Sequence, residues 1–117
     1  MIYEVNLAVD RDAAGAYAAW LGPHIQEVLE IDGFESAEWW EVAPPPGAAP
    51  EASGGEGRVR WCVHYRVHSR AALQAYLDRH AARLRGNGLA RFAGRFEASR
   101  RILLARGEHA RGERAGA

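Results

Sequence analysis

The order in which two hydrophobic periodicities alternate along the chain is the feature that most constrains its fold. Four segments carry an apolar residue at every second position, the period of a half-buried strand, and two segments carry apolar residues at helical spacing. The strand-like segments are residues 2–9, 34–42, 58–68 and 95–104. The helical segments follow the first and the third of these, so the predicted order is strand, helix, strand, strand, helix, strand.

The first helical segment covers residues 14–29. Asp10 or Asp12 is expected to cap it, because either side chain can accept a hydrogen bond from the free N–H groups of a first turn. Pro23 lies inside the segment and removes one intrahelical hydrogen bond. We therefore expect the helix to kink at Pro23 or to break there into two shorter helices.

The second helical segment is expected to begin after Ser69, a common N-cap residue, and to end at the Gly-Asn-Gly run 86–88. Two further segments are poor in large apolar residues. Residues 43–57 are expected to form a flexible loop between the second and third strands, and residues 105–117 a frayed C-terminal tail. Residues 1–104 are therefore expected to form one domain.

Right-handed crossovers convert this element order into an α+β, ferredoxin-like βαββαβ fold. Its four-stranded antiparallel sheet has the strand order 4-1-3-2, with two helices on one face. The neighbouring residues Trp39 and Trp40 must point to opposite faces of the second strand. One tryptophan then lies on the face without helices, and we expect a second copy to cover it in a homodimer of the dimeric α/β-barrel type.

Composition excludes several classes of enzyme and partner. The 117 residues are 48% hydrophobic, and the fifteen basic residues, all Arg, balance fifteen acids. Without Lys there is no Schiff-base or pyridoxal-phosphate chemistry and no phosphate-binding G-x-x-x-x-G-K loop. Cys62 is the single cysteine, so an internal disulfide and C-x-x-C metal sites are excluded. We expect no cofactor and no metal.

The distribution of charge and hydropathy bears on partners and location. Residues 1–57 carry most of the acids and residues 58–117 most of the arginines, so the halves either intermix in one fold or attract across protomers. In the third strand Arg60 and Cys62 stand where RNA-recognition modules place stacking aromatics, so no nucleic-acid partner is expected. No signal-peptide pattern or apolar run of membrane-spanning length is present. We expect a cytoplasmic protein without a membrane partner.

Several segments resemble a known bacterial family. They are MIYEVNLAVD, the pattern W-x-x-x-HI-x-EVL at 20–29, the Gly33-Phe34 step, YRVHSRAALQAYLDRHAARLR and RFAGRFEASRRIL. Together they resemble the domain of unknown function 4286 over residues 1–42 and 58–104. The resemblance implies a ferredoxin-like fold and no established reaction, substrate or cofactor. The chain departs from the family pattern at Gln26, where we associate a proline with the family, and in a longer 43–57 loop.

The first candidate site surrounds His24. Trp20 precedes it by four residues and Glu27 follows it by three, so the three side chains lie on neighbouring parts of one helix face. A histidine beside a carboxylate can take up and release a proton near neutral pH, which makes His24 the candidate catalytic residue. The alternative is a histidine that packs at the proline kink or caps a carbonyl.

The second candidate is a polar stripe on the first and third strands. Glu4, Asn6, His64 and Arg66 should share one sheet face, because these strands are neighbours in the predicted order. They are candidate ligand-binding residues together with Trp20, and the alternative is a simple Glu4 to Arg66 ion pair. Whether the chain is an enzyme stays open.

The leading hypothesis is a homodimer that binds or transforms a small polar or aromatic metabolite near Trp20 and His24, with His64 and Arg66 bordering the same pocket. The alternative is a non-enzymatic interaction or regulatory module that uses the sheet face. An enclosed cavity that reaches His24 would favour the first hypothesis, and a dry interface between sheets would favour the second.

Overall fold

The computed structural model describes residues 1–47 and 57–112. In chain order the elements are β1 (Ile2–Asp10), α1 (Ala14–Leu29), β2 (Phe34–Glu41), β3 (Arg58–Val67), α2 (Arg70–Arg79), α3 (Ala81–Phe92) and β4 (Phe96–Leu103). The predicted strands are confirmed to within one residue at each end. Most of the predicted 43–57 loop and the last five residues of the predicted tail lie outside the described residues.

The four strands form one antiparallel sheet in the order β2-β3-β1-β4, which is the predicted ferredoxin-like arrangement. Its register pairs Val5 with Val63 on β3 and with Arg100 on β4. Odd-numbered residues of β1 and β3 and even-numbered residues of β4 therefore share the face that the helices cover. We call this the helix face, and the opposite one the outer face.

The core lies between the helix face and the helices. Its buried side chains include Tyr3, Leu7, Val9, Tyr17, Leu21, Ile25, Val28, Trp61, Val63, Tyr65, Val67, Leu73, Tyr76, Leu84 and Phe92. Trp39 lies on the helix face, edge-on to Trp61 with ring centroids 5.3 Å apart, whereas Trp40 lies on the outer face and is 54% exposed. The prediction of one tryptophan on each face is confirmed.

The predicted break of α1 into two helices at Pro23 does not occur. The helix is continuous over sixteen residues with Pro23 inside it. Pro23 is exposed, so the carbonyl that loses its N–H partner one turn earlier can be hydrated. The predicted caps are also wrong: Ala13 is the N-cap, and Asp10 and Asp12 bind the side chain of Arg95 instead.

The second helical segment differs from the prediction at its end. Ser69 caps α2 as predicted, with its hydroxyl accepting a hydrogen bond from the Ala72 N–H at 3.1 Å. The chain bends at His80, and α3 then runs through Gly86 and Gly88 instead of ending there. A Cβ atom on Gly88 would lie 2.8 Å from the Trp20 ring, so the missing side chain allows α3 to approach α1.

Charged pairs join the acidic and basic halves of the chain within one fold. Asp10 binds both Arg58 and Arg95 at 3.3 Å, and Glu4 binds Arg101. For these residues, the acidic and basic halves of the chain therefore intermix within one fold, which is the first of the two alternatives given by the sequence. Within the described part of the chain, no helix is long and apolar enough to cross a bilayer.

Candidate functional site

A cavity of about 360 Å³ lies on the helix face, between α1, α3 and the strands β1 and β4. Its lining comprises Tyr3, Val5, Leu7, Tyr17, Trp20, Leu21, His24, Val63, Tyr65, Tyr76, Arg85, Gly88, Leu89, Phe96, Ala98 and Arg100. Val5, Ala98 and Gly88 are small for their positions, so the helices and sheet meet without filling the space between them. The exposed residues Leu89 and Arg100 mark the side open to solvent.

Trp20 and His24 form one wall of this cavity. Their rings stack with centroids 4.4 Å apart and an angle of 21° between planes. Burial lowers the pKa of His24 below its ordinary value, with Arg100 lowering it further and Glu27 opposing the shift. The imidazole is therefore neutral at neutral pH, and no hydrogen bond engages it among the described residues, so a ring nitrogen is available as a proton acceptor.

Two arginines supply the charge of the cavity. Arg85 on α3 donates from Nη2 to the Tyr3 hydroxyl at 2.6 Å, while its Nε is buried and has no partner among the described residues. Arg100 on β4 lies near enough to lower the pKa of Tyr17, Tyr65 and His24. Asp and Glu are absent from the described lining, so the cavity is a cationic one.

The tyrosines of the cavity are neutral hydrogen-bonding groups. Burial raises the pKa of Tyr17 to about 12 and also raises the pKa of Tyr65 and Tyr76. They therefore keep their protons at physiological pH and can donate to a ligand.

The outer face holds a different polar cluster, built around Glu4. This carboxylate is 4% exposed and accepts from Asn6 Nδ2 at 2.9 Å, lies 2.8 Å from His64 Nε2, and binds Arg101. The Arg101 hydrogen bond leads the effects that hold the pKa of Glu4 at about 2, against the opposing effect of burial. The cluster is thus a set of polar groups that satisfy one another.

Cys62 also belongs to the outer-face cluster. Burial, reinforced by the Glu4 carboxylate, raises the pKa of this thiol to about 11. Ligand atoms of Glu4, Cys62 and His64 lie within 4.8 Å of one another, a grouping that the sequence analysis missed. A metal that bound these three residues would have to displace Arg101 from Glu4 and the proton from the thiol.

The sheet separates residues that the sequence analysis joined in one pocket. Trp20 and His24 line the helix-face cavity, while Glu4, Asn6, His64 and Arg66 lie on the outer face, so His64 and Arg66 cannot border the same pocket. The predicted sharing of one face by these four residues is confirmed. The expected Glu4 to Arg66 pair is wrong, because Arg66 lies opposite Ile2 and Glu4 binds Arg101.

Arg85 and Arg100 are cavity residues that the sequence analysis did not single out. Arg100 could have been found from the period-2 pattern of β4. It follows Phe96 and Ala98 at every second position, so it lies on the same face as these two core-facing residues. No sequence signal marks Arg85, which lies on α3 beyond the bend at His80.

Comparisons with known proteins support the fold. The chain is similar to the crystal structure of an ethyl tert-butyl ether d (ethd) family protein from Bacillus halodurans, with 14% identity, a TM-score of 0.54, and coverage of 89% of this chain and 100% of that one. It is also similar to Rv0793 from Mycobacterium tuberculosis, with 20% identity, a TM-score of 0.51, and coverage of 92% and 100%. No curated protein has a detectably similar sequence.

A family model gives the most extensive sequence match. It covers residues 1–105, which contain all seven elements of the fold and every residue of the cavity. The chain therefore belongs to the family described as Domain of unknown function (DUF4286).

Proposed function

We propose that the protein binds a small organic molecule in the helix-face cavity and that His24 accepts a proton from it. The observation that carries the proposal is a cavity of about 360 Å³ that reaches His24, within the size range of small-molecule sites. It is the feature that distinguishes a ligand site from a pure interaction module.

The state of His24 supports the second part of the proposal. A neutral imidazole with a free ring nitrogen can act as a general base, whereas a protonated imidazole cannot. Stacking on Trp20, at 4.4 Å, holds the ring at the cavity wall. The low pKa caused by burial keeps it in the basic form at neutral pH.

The test is a screen of small aromatic and polar metabolites by ligand-observed NMR, repeated with two variants. Ala98→Phe fills the cavity, whereas Ser99→Phe adds the same ring one residue later, on the outer face. We expect binding to be lost in Ala98→Phe and retained in Ser99→Phe. Binding that survives Ala98→Phe, or a library without any binder, would contradict the proposal.

We also propose that the protein is a homodimer whose copies meet through their outer faces. Trp40 is 54% exposed there, and Val42 just beyond β2 is 45% exposed. Arg60 and Arg66 lie on the same face as Glu38 and Glu97, so a twofold contact can bring unlike charges together. We place this dimer in the cytoplasm, where Cys62 would remain a free thiol.

Sedimentation equilibrium tests the dimer with two variants, each at a residue that is exposed to nearly the same extent. Trp40→Glu adds a charge to the outer face, and Leu89→Glu adds one to a residue that is 55% exposed on the opposite side of the molecule. We expect a dimer that Trp40→Glu dissociates and Leu89→Glu leaves intact. A monomeric wild-type protein would refute the dimer, while the cavity proposal would stand.

A further inference from the structure

We infer that the helix-face cavity selects a small carboxylate carried on an aromatic or other apolar body. This inference rests on the proposed function and goes beyond it by naming the ligand class. Three features of the cavity carry it: an unpaired buried guanidinium nitrogen, a second arginine at the mouth, and walls of aromatic rings without a carboxylate.

The first feature is the unsatisfied donor of Arg85. A buried polar group normally has a hydrogen-bond partner, and a buried cationic donor without one is costly. The Arg85 Nη2 atom donates to Tyr3, but Nε has no acceptor among the described residues. Arg85 is one of the residues that line the cavity, so a carboxylate bound there would meet the charge of its guanidinium, as arginine recognises carboxylates through its fork of N–H groups.

The second feature is the state of Arg100. Its neighbour in sequence, Arg101, is on the outer face and binds Glu4. Arg100 lies on the helix face at the cavity mouth, and no ion pair or hydrogen bond engages it in the described residues. An unpaired cation at the entrance attracts an anion and repels a cation, so it favours ligands with a negative charge.

The third feature is the rest of the wall. Tyr17 packs against Trp20 and Phe96 with ring centroids 5.4 and 5.1 Å apart, so much of the surface away from the arginines is aromatic. Such a surface favours burial of a flat apolar body. A volume of about 360 Å³ suits an acid of one or two rings.

Matched pairs of acids and primary amides test the inference by isothermal titration calorimetry. The pairs are benzoate with benzamide, phenylacetate with phenylacetamide, and indole-3-acetate with its amide, because each pair has the same body and differs in charge. We expect at least one acid to bind about tenfold or more tightly than its amide, the usual scale of a charge-assisted hydrogen bond.

Four variants locate the preference. Arg85→Gln and Arg100→Gln are expected to reduce the affinity for the acid about tenfold and that for the amide by less than about twofold. Arg83→Gln, an exposed position two residues before Arg85 on the same helix, and Arg79→Gln, an exposed position at the end of α2, are the controls and should leave both affinities unchanged.

The outcomes separate this inference from the proposed function. Acids and amides that bind equally well, or an acid preference that survives both Arg85→Gln and Arg100→Gln, would overturn the carboxylate assignment and leave the cavity as a small-molecule site. If no member of any pair binds at millimolar concentration, the carboxylate assignment is overturned, and the metabolite screen with Ala98→Phe and Ser99→Phe decides the proposed function separately.

Discussion

Polar side chains on the two sides of the sheet are in opposite states. On the outer face, Glu4 is bound by Asn6, His64 and Arg101, so the cluster is closed on itself. On the helix face, Arg85 retains an unpaired nitrogen and Arg100 has no partner among the described residues. Polar groups that already satisfy one another gain less from a ligand than polar groups without partners.

Polar groups that border a cavity and lack hydrogen-bond partners are a better indicator of a ligand site than polar groups that bind one another. A buried donor without an acceptor raises the energy of the free protein, and a ligand that supplies the acceptor recovers that energy on binding. The predictions below compare the two faces, beginning with the largest expected effect on stability.

Removal of the acceptor at the centre of the outer-face cluster should have the largest effect. We expect Glu4→Gln to lower the free energy of unfolding by about 2 kcal/mol, because Arg101 and His64 lose a charged partner. Arg100→Gln on the helix face should change it by less than about 0.5 kcal/mol, because no partner is lost. Urea denaturation measures both, and equal losses would remove the distinction between the faces.

The same cluster should make stability depend on acid pH. The Arg101 hydrogen bond holds the pKa of folded Glu4 at about 2, below the ordinary value of 4.5, so folding favours the ionised form. This contribution is present above pH 4.5 and is lost as the pH falls toward 2. Glu4→Gln has no carboxylate to protonate at position 4. We therefore expect this variant to lose about 1–2 kcal/mol less stability than the wild-type protein over the same pH range. Parallel stability curves for the two proteins would contradict the cluster.

Two glycines of α3 should respond differently to alanine. Gly86 has open space around the position of a Cβ atom, so Gly86→Ala should stabilise the protein by about 0.5–1 kcal/mol through helix propensity. In Gly88→Ala the new methyl group would lie 2.8 Å from the Trp20 ring and should cancel that gain. Thermal unfolding and tryptophan fluorescence measure the pair, and equal stabilisation without a fluorescence change would contradict the Trp20 contact.

The smallest effect is a shift in the titration of His24. Burial lowers its pKa, so its ring resonances should titrate with a midpoint below 6.5. Folding then favours the neutral ring, and its contribution to stability is present above pH 6.5 and falls as the pH drops through the lower, folded value. Two-dimensional NMR with a His24→Gln control assigns the signal. A midpoint at or above 6.5 would contradict a pKa lowered by burial of the ring in the cavity wall.

Much of the fold could be predicted because the period-2 segments specify which residues face the core. The errors occur where a distant contact overrides a local preference. Gly88 looks like a helix stop in sequence, but its missing side chain accommodates Trp20 from another helix. Asp10 and Asp12 look like caps, but they bind Arg95, which lies more than eighty residues away in sequence.

The candidate site could be predicted only in part for the same reason. Helical spacing correctly brought Trp20 and His24 together. Glu4 and His64 are both even-numbered, and the sequence analysis correctly placed them on one sheet face. Its error was to assign His64 to the same pocket as His24. The core residues of β1 and β3 are odd-numbered, so the even-numbered residues must lie on the face away from the helices. The role of Arg85 depends on the bend at His80 and on a tertiary contact with Tyr3, which no local pattern encodes.

A tryptophan and a histidine lie beside the polar groups of each face, so a single NMR experiment can decide between the two faces. Trp20 and His24 report on the helix-face cavity, and Trp40 and His64 report on the outer face. The measurement is the shift of their ring resonances when phenylacetate and indole-3-acetate are added. We predict saturable shifts at Trp20 and His24 with Trp40 and His64 unchanged. Shifts confined to Trp40 and His64, or no saturable shift at any of the four rings, would contradict the assignment of the ligand site to the helix face.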